Sequence, residues 1–214
     1  MKKMAQNLTF TRCIFIALMG LSSMAHSIEE PAYTLIDTID DVEIRQYSPV
    51  IQAVTSLPDS AESGSGFRRL AGFIFGGNDA KHEIAMTAPV QETLGTERPE
   101  MAFTMPGSYT LDTLPIPDDD GVRLMEIPQR TVAVIAFSGW ATRSKIDRYT
   151  EKLTRIVESH NLEQASVLML NQYNPPWTPP FMRRNEVMLE IKRPAKNPQA
   201  EASNVLHNDE SWSF

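Results

Sequence analysis

Alternating apolar and polar residues predict strands in the first part of the chain. Residues 33–47 hold two such runs on either side of Asp40 and Asp41, the pattern of a β-hairpin with a short turn. Pro49 interrupts the alternation, and residues 50–56 resume it as a third strand. A polar, glycine-rich loop is predicted over 60–66. Apolar residues at helical spacing follow over 67–75, and Gly76-Gly77-Asn78 predicts the end of that helix.

The remaining pattern predicts two more strands and then a second series of elements. Residues 84–92 and 100–105 are expected to be strands, as are residues 122–127 and 131–138. A helix is predicted from Ser144 to about His160, with Ser144 and Asp147 forming a capping box. Residues 167–173 and the run Val187–Ile191 predict the last two strands.

The order of elements repeats along the chain. Three pairs of positions keep an offset of 79 to 83 residues: Pro49 with Pro128, Ala53-Val54 with Ala133-Val134, and Asn78 with Asn161. Each half alone would leave one sheet face bare, so the halves are expected to share one core. The prediction is an α+β fold: two β-β-α-β-β halves in a mixed or antiparallel sheet closing toward a distorted barrel, with two helices packed on it.

The first 27 residues have the pattern of a signal peptide. Lys2, Lys3 and Arg12 give a positive start, residues 14–21 are apolar, and small residues follow. The apolar run is well below the ~20 residues that span a bilayer. Cleavage is expected after Ser27, with Ala25 as the second choice and a retained anchor as the alternative. The protein is therefore expected to be periplasmic or secreted, with a domain over 28–193 and a disordered tail over 194–214.

Composition narrows the function further. The only cysteine, Cys13, lies in the predicted signal peptide, so a mature chain has no disulfide and no thiolate nucleophile or ligand. Without the three basic residues of that segment, 17 basic residues face 27 acidic ones, a net charge of −10. Such a surface argues against nucleic acid as a partner. A monomer without a membrane-spanning segment is expected.

Common catalytic and metal-binding motifs are absent from the sequence. It has no G-x-S-x-G elbow, no H-E-x-x-H pair and no phosphate loop. His82, His160 and His207 are too widely spaced to predict a multi-histidine zinc site. Asp118-Asp119-Asp120 is interpreted as a solvated turn. These observations favour a binding protein over an enzyme.

Two segments combine aromatic residues with arginines. In residues 172–185, four prolines stiffen a loop that carries three aromatic side chains and two arginines. This composition suits a planar ligand that bears carboxylates, or else a stiff crossover that only caps the core. Residues 67–90 repeat the combination and contain His82 and Met86, both able to ligate haem iron. Met86 is expected in the core, and His82 is either a ligand or an ordinary surface residue.

The same segments resemble the SOUL haem-binding protein family. The resemblance rests on Ile-Phe-Gly-Gly-Asn at 74–78, Ile-Ala-Met-Thr-Ala-Pro-Val at 84–90, the proline-rich run 173–187 and the tyrosines and Val-Glu-Ile-Arg of 33–47. It covers residues 32–192. It implies a barrel of two repeated halves, similar to bacterial effector-binding domains. It also implies a shallow apolar groove for haem or another tetrapyrrole, near the first helix and the late loop.

Carried onto this sequence, the resemblance implies a set of haem-binding residues. They are Phe67, Arg68, Arg69, Ala71, Phe75, Tyr173, Trp177, Phe181, Arg183 and Arg184. The arginines would meet propionates, and His82 is the candidate iron ligand. The implied function is non-catalytic haem binding, as a carrier, buffer or scavenger. The alternative is a module for other small amphipathic molecules, with haem incidental. A tetrapyrrole-modifying enzyme is a third hypothesis, for which no residue supplies an acid, base or nucleophile.

Overall fold

The computed structural model of the protein describes residues 28–58 and 63–192. The predicted signal peptide and tail lie outside these residues, as does part of the predicted loop over 60–66. The elements are β1 (Tyr33–Ile39), β2 (Val42–Tyr47), β3 (Val50–Ser56), α1 (Ser63–Ile74), β4 (Val90–Leu94), β5 (Glu100–Thr104), β6 (Val122–Ile127), β7 (Arg130–Ser138), α2 (Arg143–Ser159), β8 (Glu163–Gln164), β9 (Leu168–Gln172), a 3₁₀ turn (Pro180–Met182) and β10 (Arg184–Lys192).

Nine strands form one antiparallel sheet in the order β1-β2-β7-β10-β9-β4-β5-β3-β6, and β8 pairs with β10. From β2 to β6 the order is symmetric. The strands β2, β3, β4 and β5 of the first half correspond to β6, β7, β9 and β10 of the second half. If each strand is exchanged for its counterpart, the same order is read in reverse. The axis of this exchange passes between β4 and β9, which pair from Val90↔Gln172 to Leu94↔Leu168. The predicted duplication is therefore confirmed at the level of strand order.

Two short links show that the sheet curls into a barrel. Ser48-Pro49 joins β2 to β3, and Pro128-Gln129 joins β6 to β7. Each link connects strands that lie six positions apart in the sheet, or about 29 Å if the sheet were flat. The three Cα–Cα steps of such a link span at most about 11 Å. The two ends of the sheet must therefore come close together, which confirms the prediction of a sheet that closes toward a distorted barrel.

The helices pack on the outer face of this sheet and divide the apolar core between them. Leu153, Ile156 and Val157 of α2 pack on residues of β2, β7, β9 and β10. Leu70, Phe73 and Ile74 of α1 pack on residues of β3, β5 and β6. Because side chains alternate along a strand, the opposite face of the same strands lines the barrel interior. A third cluster of Tyr47, Val132, Val134, Met169 and Met188 lies there.

Residues 28–32 run across one end of the barrel as an N-terminal strap. The carbonyl of Glu29 accepts from the amide of Ala88 at 2.9 Å, and its carboxylate accepts from the amide of Gly107 at 2.7 Å. Glu30 forms an ion pair with Arg184. The strap thus connects two loops of the first half of the chain to β10 of the second half.

Three sequence expectations need correction. The strand predicted over 84–92 begins only at Val90, because Thr87 is engaged elsewhere and Pro89 has no amide to donate. The backbone of Thr87 bridges to Glu29, and its hydroxyl donates to the carbonyl of Thr104 at 2.5 Å. Residues 63–66, expected in a loop, form the first turn of α1. Gly66 is buried there, and a Cβ at this position would lie 2.3 Å from the side chain of Leu57.

The predicted capping box is the third correction. The helix α2 begins at Arg143 after Thr142, and no side chain caps it. Ser144 and Asp147 therefore both lie inside the helix. Asp147 instead forms an exposed i,i+4 ion pair with Arg143 at 3.2 Å. The hairpin of β1 and β2, in contrast, is confirmed: Ile39 pairs with Val42 across a two-residue turn.

Candidate functional site

One flank of α1 carries a stripe of apolar residues that solvent reaches. Phe67, Ala71 and Phe75 are spaced by four residues and so share a side of the helix. The ring of Phe67 packs edge-to-face on Phe103 of β5, with centroids 5.4 Å apart. Phe75 follows the helix directly and is 66% exposed. This apolar flank is one wall of the candidate site.

The two arginines of α1 point to different sides. Arg69 lies about 200° around the helix from Phe67. It donates to the hydroxyl of Thr55 on β3 at 3.0 Å and pairs with Asp119 at 3.2 Å, on the side of β6. Arg68 lies at the outer edge of the apolar flank, is exposed, and has no ion-pair partner among the residues that the structure describes. Of the two predicted arginines, Arg68 is on the apolar side.

The space beside this flank lies above β4 and β9. The helix α1 covers β5, β3 and β6, and α2 covers β7 and β10, so the two central strands lie between the helices. Their outward residues include Val90, Leu94 and Leu168, all only partly buried. Glu92 also faces outward, and its carboxylate accepts from the hydroxyl of Ser63 at 2.9 Å. We call this surface between α1 and α2 the inter-helix groove.

The proline-rich loop stands at the end of β9 and β10, and Arg183 holds it in shape. The guanidinium of Arg183 donates to the carbonyls of Thr178, at 3.0 Å, and of Pro176. It also lies 3.9 Å from the ring centroid of Trp140, a residue that the sequence analysis did not single out. Arg183 is 9% exposed, so its donors serve the loop itself.

The tip of the loop presents apolar side chains to solvent. Trp177 is 83% exposed, Phe181 79% and Met182 62%. Trp140, held against Arg183, is exposed beside them. Large exposed apolar groups that occur together commonly mark a binding surface. The loop tip is thus a second apolar surface, formed by predicted and unpredicted residues together.

Arg184 and Tyr173 connect this loop to the barrel interior. The guanidinium of Arg184 stacks 3.4 Å from the ring centroid of Tyr173 and pairs with Glu30 of the strap. Burial opposes the charge of Arg184, but the hydrogen bond to Glu30 and the nearby negative groups raise its pKa. The Tyr173 hydroxyl donates to the carboxylate of Glu186 at 2.6 Å. Burial, followed by the charge of Glu186, raises the pKa of Tyr173.

Inside the barrel, Glu186 and Arg45 form a bidentate ion pair. The two nitrogen–oxygen distances are 3.1 and 3.2 Å, and the Glu186 side chain is 2% exposed. Arg45 also donates to the Tyr47 hydroxyl at 3.2 Å, and its guanidinium lies 4.5 Å from the ring centroid of Tyr33. Burial works against the charge of Arg45, but Glu186 and the hydrogen bonds raise its pKa. Sequence alternation gave no signal for this network, because polar residues in a strand normally indicate a solvent face.

His82 lies in the turn that follows α1. The carboxamide of Asn78 fixes the backbone of this turn, accepting from the His82 amide at 3.0 Å and donating to its carbonyl at 2.8 Å. The next residue, Glu83, bridges to Phe75, so His82 is near the end of the apolar flank. Its side chain is exposed. The structure therefore places His82, the predicted candidate ligand, as an exposed residue near one end of the apolar flank.

Across 28–58 and 63–192, no group of three or more histidine, cysteine, aspartate or glutamate side chains is arranged to hold a metal ion. Neither described helix is long and apolar enough to cross a membrane.

The barrel of two β-β-α-β-β halves is shared with solved structures of low sequence identity. The C-terminal domain of EcmrR superposes with a TM-score of 0.56 at 10% identity, covering 76% of this chain and 99% of that one. An uncharacterized conserved protein from Listeria innocua gives 0.52 at 10% identity, covering 78% and 94%. A hydrolase from the same organism gives 0.50 at 10% identity, covering 71% and 92%. At this identity the similarity defines the class of fold alone.

The sequence defines the family more narrowly. The family described as SOUL heme-binding protein matches residues 28–190, which span both halves of the barrel, the apolar flank and the proline-rich loop. The chain belongs to the SOUL heme-binding protein family. A search of curated proteins found no match.

Proposed function

We propose that this protein binds haem or a related tetrapyrrole without catalysis, in the inter-helix groove, and acts as a carrier or buffer outside the cytoplasm. The observation that carries the proposal is the pair of exposed apolar surfaces, Phe67 to Phe75 on α1 and Trp177 to Met182 on the loop. Family membership supports haem as the ligand. The signal-peptide pattern of the first 27 residues supports export.

The apolar surfaces are large enough to support useful affinity. Burying the exposed parts of two large aromatic side chains removes roughly 300 Å² of apolar surface from water. At about 25 cal/mol per Å², the gross gain is roughly 7 kcal/mol, and the buried face of the porphyrin adds to it. Association costs offset part of this sum. The expected dissociation constant is therefore on the order of micromolar.

The propionates have one well-placed cation. Arg68 borders the apolar flank and is without an ion-pair partner in the described part of the chain, whereas Arg69 is engaged by Thr55 and Asp119. Arg184 is already paired with Glu30, and Arg183 holds the loop. Arg68 is consequently the residue proposed to meet a propionate, and His82 the residue proposed to meet the iron.

A titration of purified protein with haemin tests the proposal. Saturable Soret changes at micromolar concentration are expected, and their absence at tens of micromolar would reject it. Arg68→Ala should weaken binding about threefold to tenfold, as expected for loss of one partly exposed charged contact. Arg69→Ala is the matched control and should bind as the wild type does. Trp177→Ala should weaken binding as well.

Metal-free protoporphyrin tests the role of iron. If His82 ligates, haemin binds more tightly than protoporphyrin, and His82→Ala removes the difference and alters the Soret spectrum. Equal affinity for the two compounds would instead favour the alternative, a module for amphipathic molecules that binds haem incidentally. Mass spectrometry of the mature N-terminus tests the expected cleavage after Ser27.

A further inference from the structure

A cavity of about 720 Å³ opens at the end of the barrel that the N-terminal strap crosses. Its walls come from the strap, both two-residue links and the segment after β5, and they are largely apolar. They include Pro31, Val50, Met105, Tyr109 and Ile127. The volume lies within the range of small-molecule sites. This outer cavity lies at the end of the barrel, and its walls include Met105 and Tyr109, which also pack in the apolar cluster under α1.

A small polar pocket lies directly behind the outer cavity. The two share Pro31, Val50 and Thr104 as walls. The inner pocket measures about 20 Å³, which is room for one water-sized group. Polar side chains surround it: Gln52, Gln91, Arg130, Asn171, and the tyrosines Tyr47 and Tyr173. This end of the barrel therefore has a largely apolar outer cavity and a narrow polar inner pocket.

Arg130 is the charged group of that polar end, and it has no close counter-charge. Among the described residues, the only hydrogen bond of its guanidinium runs from Nη1 to the sulfur of Met169, at 3.9 Å. Glu190 acts on it electrostatically from beyond ion-pair distance. Burial lowers the pKa of Arg130, with only partial relief from Glu190. A partly buried guanidinium that lacks a carboxylate is costly for the free protein, and an anionic ligand would relieve this cost.

The neighbouring carboxamides supply neutral polar groups and no negative charge. Gln52, Gln91 and Asn171 form a chain, in which Gln52 Nε2 donates to Gln91 at 3.3 Å and Gln91 Nε2 to Asn171 at 3.0 Å. The carboxylate of Glu186 is turned to Arg45 and Tyr173 and is neutralised there. The inner pocket thus keeps one uncompensated positive charge.

We propose that the outer cavity and the inner pocket together bind an amphipathic monocarboxylate, such as a medium-chain fatty acid, with one carboxylate oxygen reaching Arg130 in the inner pocket and the apolar tail in the outer cavity. Three carboxylates on the cavity wall are compatible with this orientation. Glu29 is occupied by the amide of Gly107, Glu30 is paired with Arg184, and Glu126 is exposed at the rim. The charged end of the ligand lies away from the rim, so these groups meet only its tail.

Titration of the mature protein with [1-¹³C]decanoate tests the proposal by carboxyl ¹³C NMR and calorimetry. One saturable site is expected. Arg130→Gln should weaken binding by about tenfold to a hundredfold, the range for a hydrogen bond to a charged group. Arg130→Lys keeps the charge and should retain most of the affinity. Arg123→Gln is the matched control. Because Arg123 pairs with Glu100 at the surface, its replacement should leave the affinity for decanoate unchanged.

Two ligands with the same tail identify the head group. Decanol should bind more weakly than decanoate, and decyltrimethylammonium should bind weakest. If the ammonium compound binds as tightly as decanoate, or if Arg130→Gln binds like the wild type, the proposal is overturned. If a thermal melt shows that Arg130→Gln is not folded, the variant Val50→Phe tests the site instead. It narrows the junction between cavity and pocket and is expected to abolish decanoate binding; unchanged binding would reject the site.

The same variants separate this site from the haem groove. Arg130→Gln should leave the haemin titration unchanged, and Arg68→Ala should leave the decanoate titration unchanged. Displacement of bound haemin by decanoate would place both ligands in one site and overturn the proposal of a separate site.

Discussion

Replacing Arg45 by Met would leave the carboxylate of Glu186 buried without its main counter-charge. Glu186 would keep only the Tyr173 hydroxyl at 2.6 Å and the more distant Arg184 at 3.8 Å. Removing one partner of a buried ion pair typically costs about 3–5 kcal/mol. That is a large fraction of the ~5–15 kcal/mol that stabilises a domain. For a domain of this size the melting temperature should fall by about 6–20 °C.

Urea denaturation followed by far-UV circular dichroism measures this effect. The midpoint should shift to lower urea while the slope of the transition stays unchanged. Glu43→Gln is a matched control, because Glu43 contacts the same guanidinium at 2.7 Å but is 41% exposed. Loss of that exposed contact should cost less than about 1 kcal/mol.

The double variant Arg45→Met/Glu186→Leu tests the cause. If an uncompensated buried charge is responsible, the double variant is more stable than Arg45→Met alone, because no charge remains to be buried. A cost below about 1 kcal/mol for Arg45→Met would refute the reasoning. So would a double variant that is less stable than the single one, since packing would then be the dominant effect.

Three further changes have defined outcomes. Burial raises the pKa of Glu92, so the folded state holds its proton more tightly and stability falls as pH rises above the unfolded value of about 4.5. Glu92→Gln should therefore be more stable than the wild type at pH 7 and have a flatter pH profile; equal profiles in urea melts would contradict this. Asn78→Ala removes three hydrogen bonds of a buried side chain and should cost about 2–4 kcal/mol, measured by thermal melts, whereas Asp79→Ala, at an exposed residue, should cost less. Leu153→Ala, at 0% exposure, should cost about 2–5 kcal/mol by urea denaturation, while exposed Glu151→Ala stays within about 0.5.

Local patterns predicted the elements because each element depends on nearby residues. The turn at Asp40 and Asp41 and the apolar spacing of α2 are of this kind. The errors arose where distant contacts prevail. Thr87 pairs with Glu29, almost 60 positions away, so the strand begins late. The sequence predicts a loop at Gly66, although its missing side chain lets α1 approach Leu57.

The residues of the candidate sites divide in the same way, into those that a local pattern reveals and those that only distant contacts bring to the site. Trp177 and Phe181 could be found because a proline-rich, aromatic loop is unusual in itself. Trp140 could not be found from the sequence, because only its contact with Arg183 brings it to the loop. Arg130 begins an ordinary β-branched strand, and nothing local shows that its side chain points into a barrel. Interior polar residues and surface polar residues have the same alternation, so the sequence alone does not separate them.

The pair Glu30 and Arg184 also sets the order in which the domain can be completed. A ribosome synthesises Glu30 first and Arg184 154 residues later. At about 5–20 residues per second, the interval is roughly 8 to 30 s. The ion pair of the strap with β10 therefore forms only after nearly all of the described domain has been made, whereas the bonds of Glu29 to Ala88 and Gly107 need only the first half. The strap thus joins the two halves of the barrel only once the synthesis of β10 has begun.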